Sequence, residues 1–378
     1  MLKRTMHLAM LSAIGAVAMP TLAHATLITS SSNTFTLNRS VTDTLGANKS
    51  ASDGAVEQTN VNLGTTKLGQ FNSSTGVLTG VNIGLSSTYK QTSSVTAPAT
   101  NAGSNGGNAN ASGTGSSAIK LTVPTGVSGA AANLSATDTC GGKPKEGCNN
   151  GATSTPLNHN LTIGSASLND YVGAGTVDVN HTATSLKAET TLNGFNSQAS
   201  TNSTLDWFGS LTANYSYLLH AEQSFDPWGS KTMTLDFGSV FQGDSVADLV
   251  FFFHNLAGER VGMNMTGIAE TGDPDDQFTT NVASVGTLAA GTSKHYAASF
   301  LTDKVGSFGA MYEFIFADAA PEGSYAASTL GSGYKLTLNL KGSVVERPAD
   351  PAEVPEPGSL MLLGMGAAAL GLRRKRKA

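Results

Sequence analysis

Short alternating runs separated by Gly, Asn and Ser turns predict an all-β chain with two β-sandwich-like domains. An N-terminal signal peptide and a short C-terminal membrane helix would flank them. Composition supports this class. Only 13% of the 378 residues are charged, against about 25% in ordinary soluble proteins. That excludes charge-rich disorder and charge-laced coiled coils. The 43 glycines follow no three-residue period, which excludes collagen. No stretch of residues 26–97 sustains a helical period.

Residues 1–25 have the order of an export signal: Lys3 and Arg4, an apolar run over 8–19, Pro20, then the small-x-small site Ala23-His24-Ala25. A signal peptidase would cut there, leaving Thr26 first. Over 26–205 the β-prone runs are 34–37, 61–63, 76–78 and 81–85, then 118–123, 158–163 and 175–179. Between them, 92–155 is low in complexity, and 101–115 in particular has almost nothing to bury, so a flexible surface insertion is expected. Residues 230–345 hold stronger strands. Lys231 to Phe237 alternates, as do 311–316 and 334–341. Leu249-Val-Phe-Phe-Phe253 is continuously apolar, as in a strand buried on both faces. This spacing predicts a second sandwich.

The C-terminus has three parts. Residues 346–358 form a Pro-rich spacer, 360–372 are apolar all round, and Arg373, Arg374, Lys375, Arg376 and Lys377 follow. Thirteen apolar residues fall short of the roughly 20 that span a bilayer unaided. The five cations would stop transfer and hold the end on the cytoplasmic side, making a temporary anchor in the inner membrane.

Residues 354–378, with Pro355, Glu356 and Pro357 ahead of the helix and basic end, resemble the PEP-CTERM sorting signal. The resemblance implies a Gram-negative bacterium that makes exopolysaccharide. It also implies an exosortase that trims the chain at the motif and delivery to the cell surface or extracellular matrix. Lys67 to Val81, with Tyr171 to Val177, resembles the choice-of-anchor E domain, whose activity is undefined. Leu235-Asp-Phe-Gly-Ser-Val240 with Gly243 and His254-Asn255 is similar to ASPM/SPD-2/Hydin immunoglobulin-like modules, which are structural or adhesive.

The ends take seven of the 22 cations and Glu356 is one of 27 acids, so the body keeps 15 and 26, a net charge of −11. Nucleic acid is not an expected partner, because no basic face remains. Cys140 and Cys148 bracket a Gly/Lys/Pro turn, which in an exported chain predicts one small disulfide. Nucleophile-elbow, zinc-protease and phosphate-loop motifs are missing, so no catalytic residues and no enzyme activity are expected. Asp226, Asp236, Asp244 and Asp248 are the carboxylates a glycosidase would draw on, but Asp236 and Asp244 lie at expected strand ends and turns and nothing brings any pair to one cleft. Asp273, Asp275 and Asp276 could offer oxygens to Ca²⁺, although a Gly/Asp/Pro turn explains them equally and no other cofactor is expected. Trp207 and Trp228 fall in an aromatic cluster over 207–228 that would stack on sugars if exposed, or form inter-domain core if buried. The expectation is a non-enzymatic structural or adhesive protein of the exopolysaccharide layer. The alternative is a carbohydrate-binding protein, with or without Ca²⁺.

Overall fold

The computed structural model describes residues 27–46, 53–96, 110–124, 128–141, 151–193, 198–348 and 364, 365 and 367. The chain divides into two compact units: Met1–Leu219 with Glu322–Thr329, and His220–Pro321 with Leu330–Ala378. Both are all-β. Every run predicted from alternation lies in a strand, to within a residue at its ends.

The first unit holds β1 (Leu27–Leu45), β2 (Val56–Gly69), β3 (Val77–Thr96), β4 (Asn110–Thr122), β5 (Ser128–Gly141), β6 (Gly151–Thr162), β7 (Thr176–Asn193) and β8 (Ala199–Leu218). They form two antiparallel sheets, β1-β8-β3-β6 and β2-β7-β4-β5. β3 and β8 are 20 residues each, about 65 Å of extended chain at ~3.3 Å per residue. Their alternate side chains are buried along nearly the whole length, as period-two patterning requires.

Residues 110–122 and 128–141 are strands, not a flexible insertion. β4 lies between β7 and β5, and its alternate residues are buried. Its small residues are a packing device. A Cβ on Gly113 would come 2.3 Å from Thr201 Oγ1, and one on Gly115 would come 2.6 Å from Ser203 Oγ. Low complexity here reflects sheets too close for large side chains. Residues 97–109 lie outside the described set.

The interior changes character along the strands. At one end Phe71, Leu78, Leu168, Tyr171 and Val177 pack into a large apolar cluster. At the other, Leu45, Val95, Ala111, Leu192 and Ala199 form a small one. Between them lies a buried polar belt of Gln91, Ser93, Ser117, Thr190, Thr201 and Ser203. Its members satisfy one another: Gln91 Nε2 donates to Ser203 Oγ at 2.8 Å and Thr190 Oγ1 to Thr201 Oγ1 at 2.9 Å. Buried hydroxyls and amides are tolerated only with such partners.

Two buried carboxylates bridge the sheets beyond the last described edge-strand pairs. β2 pairs with β7 only as far as Val56↔Ala188, and two residues beyond, Thr190 N–H donates to Asp43 of β1 at 2.7 Å. β6 pairs with β3 only as far as Ser93↔Gly151, and Val95 N–H donates to Asp138 of β5 at 2.8 Å. Each aspartate reaches from the opposite sheet to accept a backbone N–H beyond the last described pair of the edge strand.

The second unit holds β9 (Gln223–Ser224), β10 (Thr232–Phe241), β11 (Leu249–Asn255), β12 (Met263–Thr271), β13 (Phe278–Thr280), β14 (Ser293–Phe300), β15 (Gly306–Asp318) and β16 (Ser332–Val345). Its sheets are β10-β16-β15-β12 and β13-β14-β11-β9. All pairings are antiparallel except β10 with β16. Phe251, Phe253, Phe314 and Phe316 are fully buried and meet edge-on or tilted. β11 is nevertheless buried on one face only, contrary to expectation, because Val250 and Phe252 stand 54% and 42% exposed on an uncovered outer face.

Candidate functional site

The aromatic cluster of 207–228 splits. Trp207 is wholly buried in the first unit, its Nε1 donating to Ser87 Oγ at 3.0 Å and its ring edge-on to Phe35. Tyr215 and Phe225 are buried too. Trp228, in the second unit, is 88% exposed. The two tryptophans therefore share no surface.

Trp228 sits on a tight loop after β9. Asp226 Oδ1 accepts N–H groups from Trp228 at 2.9 Å and Ser230 at 3.1 Å. Its Oδ2 accepts the Ser230 hydroxyl, and Phe225 N–H donates to Ser230 O at 2.9 Å. Those bonds, led by the Ser230 hydroxyl, lower the Asp226 carboxyl pKa to about 2. Gly229 at φ +101° takes the backbone angle a side chain would oppose. The result is a braced turn with a large ring held in water. Such a ring offers a flat apolar face at little ordering cost.

Next to the loop is the outer face of β11 and β14. β9 pairs Ser224 with His254. Phe252 lies 6.0 Å from the His254 ring and 6.1 Å from His295. Phe252 pairs directly with His295 across β11 and β14. This is a mixed aromatic and imidazole surface.

The acidic loop is occupied by the protein itself. Asp273 Oδ2 accepts Phe278 N–H at 2.7 Å and Asp275 pairs with Lys304 at 2.8 Å, a bond that raises the lysine pKa. Asp276 has φ +52° and closes the turn onto Asp273 O. Among the described residues no three His, Cys, Asp or Glu side chains come together to hold a metal. The other carboxylates are separated: Asp236 pairs with Lys341 at 3.0 Å and Asp244 pairs with Arg347.

A cluster that the sequence did not suggest surrounds Asp318. This buried carboxylate accepts N–H groups from Ala221 at 2.8 Å and Gly331 at 2.6 Å, and lies 2.7 Å from His220 Nδ1 and 3.3 Å from the Tyr334 hydroxyl. Burial foremost, then Asp318, pushes the Tyr334 phenol pKa upward. It and its partners come from three separate segments, so no local motif could have announced it. It staples those segments within the second unit.

The signal cleavage residues Ala23 and Ala25, the motif Pro355-Glu356-Pro357, the cations 373–377 and Cys148 lie outside the described residues. Of Cys140 only the backbone is described, paired in β5 with Ala111, so the expected disulfide also lies outside. Among the described residues no helix is long and apolar enough to cross a membrane.

Comparison with solved structures gives distant likenesses. The ASH/PapD-like domain 7 of human CEP192 is 12% identical, covering 34% of this chain and 87% of that one at a TM-score of 0.24. The VesB protease of Vibrio cholerae is 17% identical, covering 36% and 37% at 0.22. WR4, a C. elegans MSP family member, is 6% identical, covering 28% and 92% at 0.20. Scores of this size carry no argument about fold or function. A search of curated proteins returns no match. Residues 353–376 match the PEP-CTERM protein-sorting motif, and that motif implies an exported surface protein that passes through a membrane-anchored stage and is processed by an exosortase.

Proposed function

We propose that the chain is a non-enzymatic structural or adhesive component of the extracellular layer, delivered by its C-terminal signal. The sorting motif over 353–376 carries this reading. The weakly charged all-β body is in keeping with it. We also read the first unit as choice-of-anchor E-like. The two segments behind that resemblance meet in space: Phe71 N–H donates to Tyr171 O at 2.8 Å and Gly173 N–H to Phe71 O at 2.9 Å.

A second reading, glycan binding through Trp228, is favoured by its 88% exposure on a braced loop. Co-sedimentation of the purified chain with the host's exopolysaccharide, with and without EDTA, tests both. Saturable binding lost in Trp228→Ala, with an unchanged melting temperature, would establish the second reading. Trp207→Ala should instead lower stability by about 3–5 kcal/mol, as removal of a buried Trp does. No binding by the wild type would sink the glycan reading and leave the structural one. EDTA sensitivity would bring Ca²⁺ to Asp273, Asp275 and Asp276, at the expense of their present partners. A surface form whose intact mass still includes residues 373–378 would overturn the sorting reading.

A further inference from the structure

We propose that the end of the second unit nearest the sorting segment rests on the lipid bilayer while the protein is tethered, with Phe241, Val305, Val345 and Leu301 as its contact. The proposal rests on the reading of the tail as a temporary membrane anchor. β10 and β16 run parallel and finish together, Phe241 opposite Val345. β15 begins beside them, Gly306 opposite Val344, so the same register brings Val305 next to Val345. Directly opposed residues share a face. Phe241, Val345 and Val305 therefore form one row across three strands, exposed at 42%, 39% and 48%. Leu301, 50% exposed, lies on the loop between β14 and β15. That loop is tied to the end of β10: Gly243 N–H donates to Thr302 O at 3.0 Å and Gln242 Nε2 to Asp303 O at 2.7 Å.

Two residues back along the strands, on the same face, the row becomes Ser239, Ser343 and Ser307, all polar. Apolar residues at the tip with a hydroxyl row behind suit shallow insertion at a membrane interface. The chain supplies the proximity. Only residues 346–359 separate Val345 from the apolar segment at Leu360, at most about 50 Å of extended chain. A tether of that reach turns weak contact into an intramolecular event. Charge selects the kind of lipid. Lys304 is paired with Asp275 and Arg347 with Asp244, and Asp303 adds a carboxylate, so the described residues of the tip offer no unpaired cation to anionic headgroups. The occupant is accordingly a neutral phospholipid surface. Trp228 precedes Thr232 at the far end of β10, roughly 30 Å away at ~3.3 Å per residue, and so serves as an internal reference.

The test uses the full chain, reconstituted through its own C-terminal segment into phosphatidylcholine vesicles with or without brominated acyl chains. Phe241→Trp and, separately, Val305→Trp place an indole in the row. The expected result is that brominated lipid quenches the added emission in both variants and leaves wild-type emission, from Trp207 and Trp228, unchanged. Leu301→Asp with Val345→Asp should abolish that quenching. Chains that float with the vesicles but show no added quenching would overturn the proposal and leave the anchor reading standing. A blue shift without quenching would also overturn it, assigning the row to a second copy or to the chain's own tail. A requirement for anionic lipid would overturn its apolar basis. Failure to float would overturn both the anchor and the docking.

Discussion

His181 shows how a single titratable side chain can set the acid limit of the first unit. It is wholly buried, with Nε2 2.9 Å from Thr66 Oγ1 and its ring against Phe35 and Trp207 at centroid distances of 4.3 and 4.8 Å. Burial lowers its pKa from 6.5 to about 4. The unfolded chain therefore binds a proton that the folded chain refuses. Stability should fall as pH drops below about 6.5 and stop responding to this group below about 4, a total loss on the order of 3 kcal/mol. Urea midpoints between pH 7 and 4 measure the slope. His181→Gln should flatten it, and an equal slope in that variant would show that other groups carry the acid response. Nothing in Asn180-His181-Thr182 announces burial beyond its place in an alternating run, and the partners that shape the pKa are more than 25 residues away.

At the scale of elements, β4 is the informative strand. Its sequence of Gly, Ser, Ala and Asn looks too polar for a central strand, yet the alternation is intact, with Ala111, Gly113, Gly115 and Ser117 facing in. The size of the inward residues matches the narrow gap to Val95, Thr201 and Ser203. Gly113→Val should thus cost about 3 kcal/mol by overpacking, since its Cβ alone would lie 2.4 Å from Val95 Cγ2. Gly46→Val, where nothing lies within 4 Å, should change stability by less than about 0.5 kcal/mol. Comparing the two thermal melts checks this, and equal melts would show that the sheets can separate to admit the side chain. Strands rich in large apolar residues were legible because hydrophobicity marks the inward face. The first half of β4 and the whole of β5 were not, because their inward face is selected by volume and hydrogen bonding.

For the whole molecule, the connection between β15 and β16 matters most. Residues 322–329 belong to the first unit although both flanking strands belong to the second, so the chain passes between the units three times. Ala326 is fully buried in the first unit's apolar cluster and donates to Leu78 O at 2.8 Å. Thr329 Oγ1 accepts Leu78 N–H at 3.1 Å, and Ser328 Oγ donates to Asn169 Oδ1 at 2.7 Å. Ala326→Asp should bury a carboxylate with no ionic partner supplied and loosen the start of β3. Hydrogen exchange over residues 77–83 reads this directly. Unchanged protection there would mean that the first unit holds its end closed without this segment.

By itself the sequence determined the all-β class, the position of the large-residue strands and the sorting motif near the C-terminal end. Each of these is written in contiguous residues, through a local period or a local order. Tertiary structure alone decided that Trp207 is core and Trp228 is surface, that β11 has an open face and that a Gly/Ser strand lies at the centre of a sheet. It likewise decided that Asp43 and Asp138 act as caps for distant strands. Burial and hydrogen-bond partnership depend on which strands the fold brings face to face, and those pairings join residues up to about 250 positions apart.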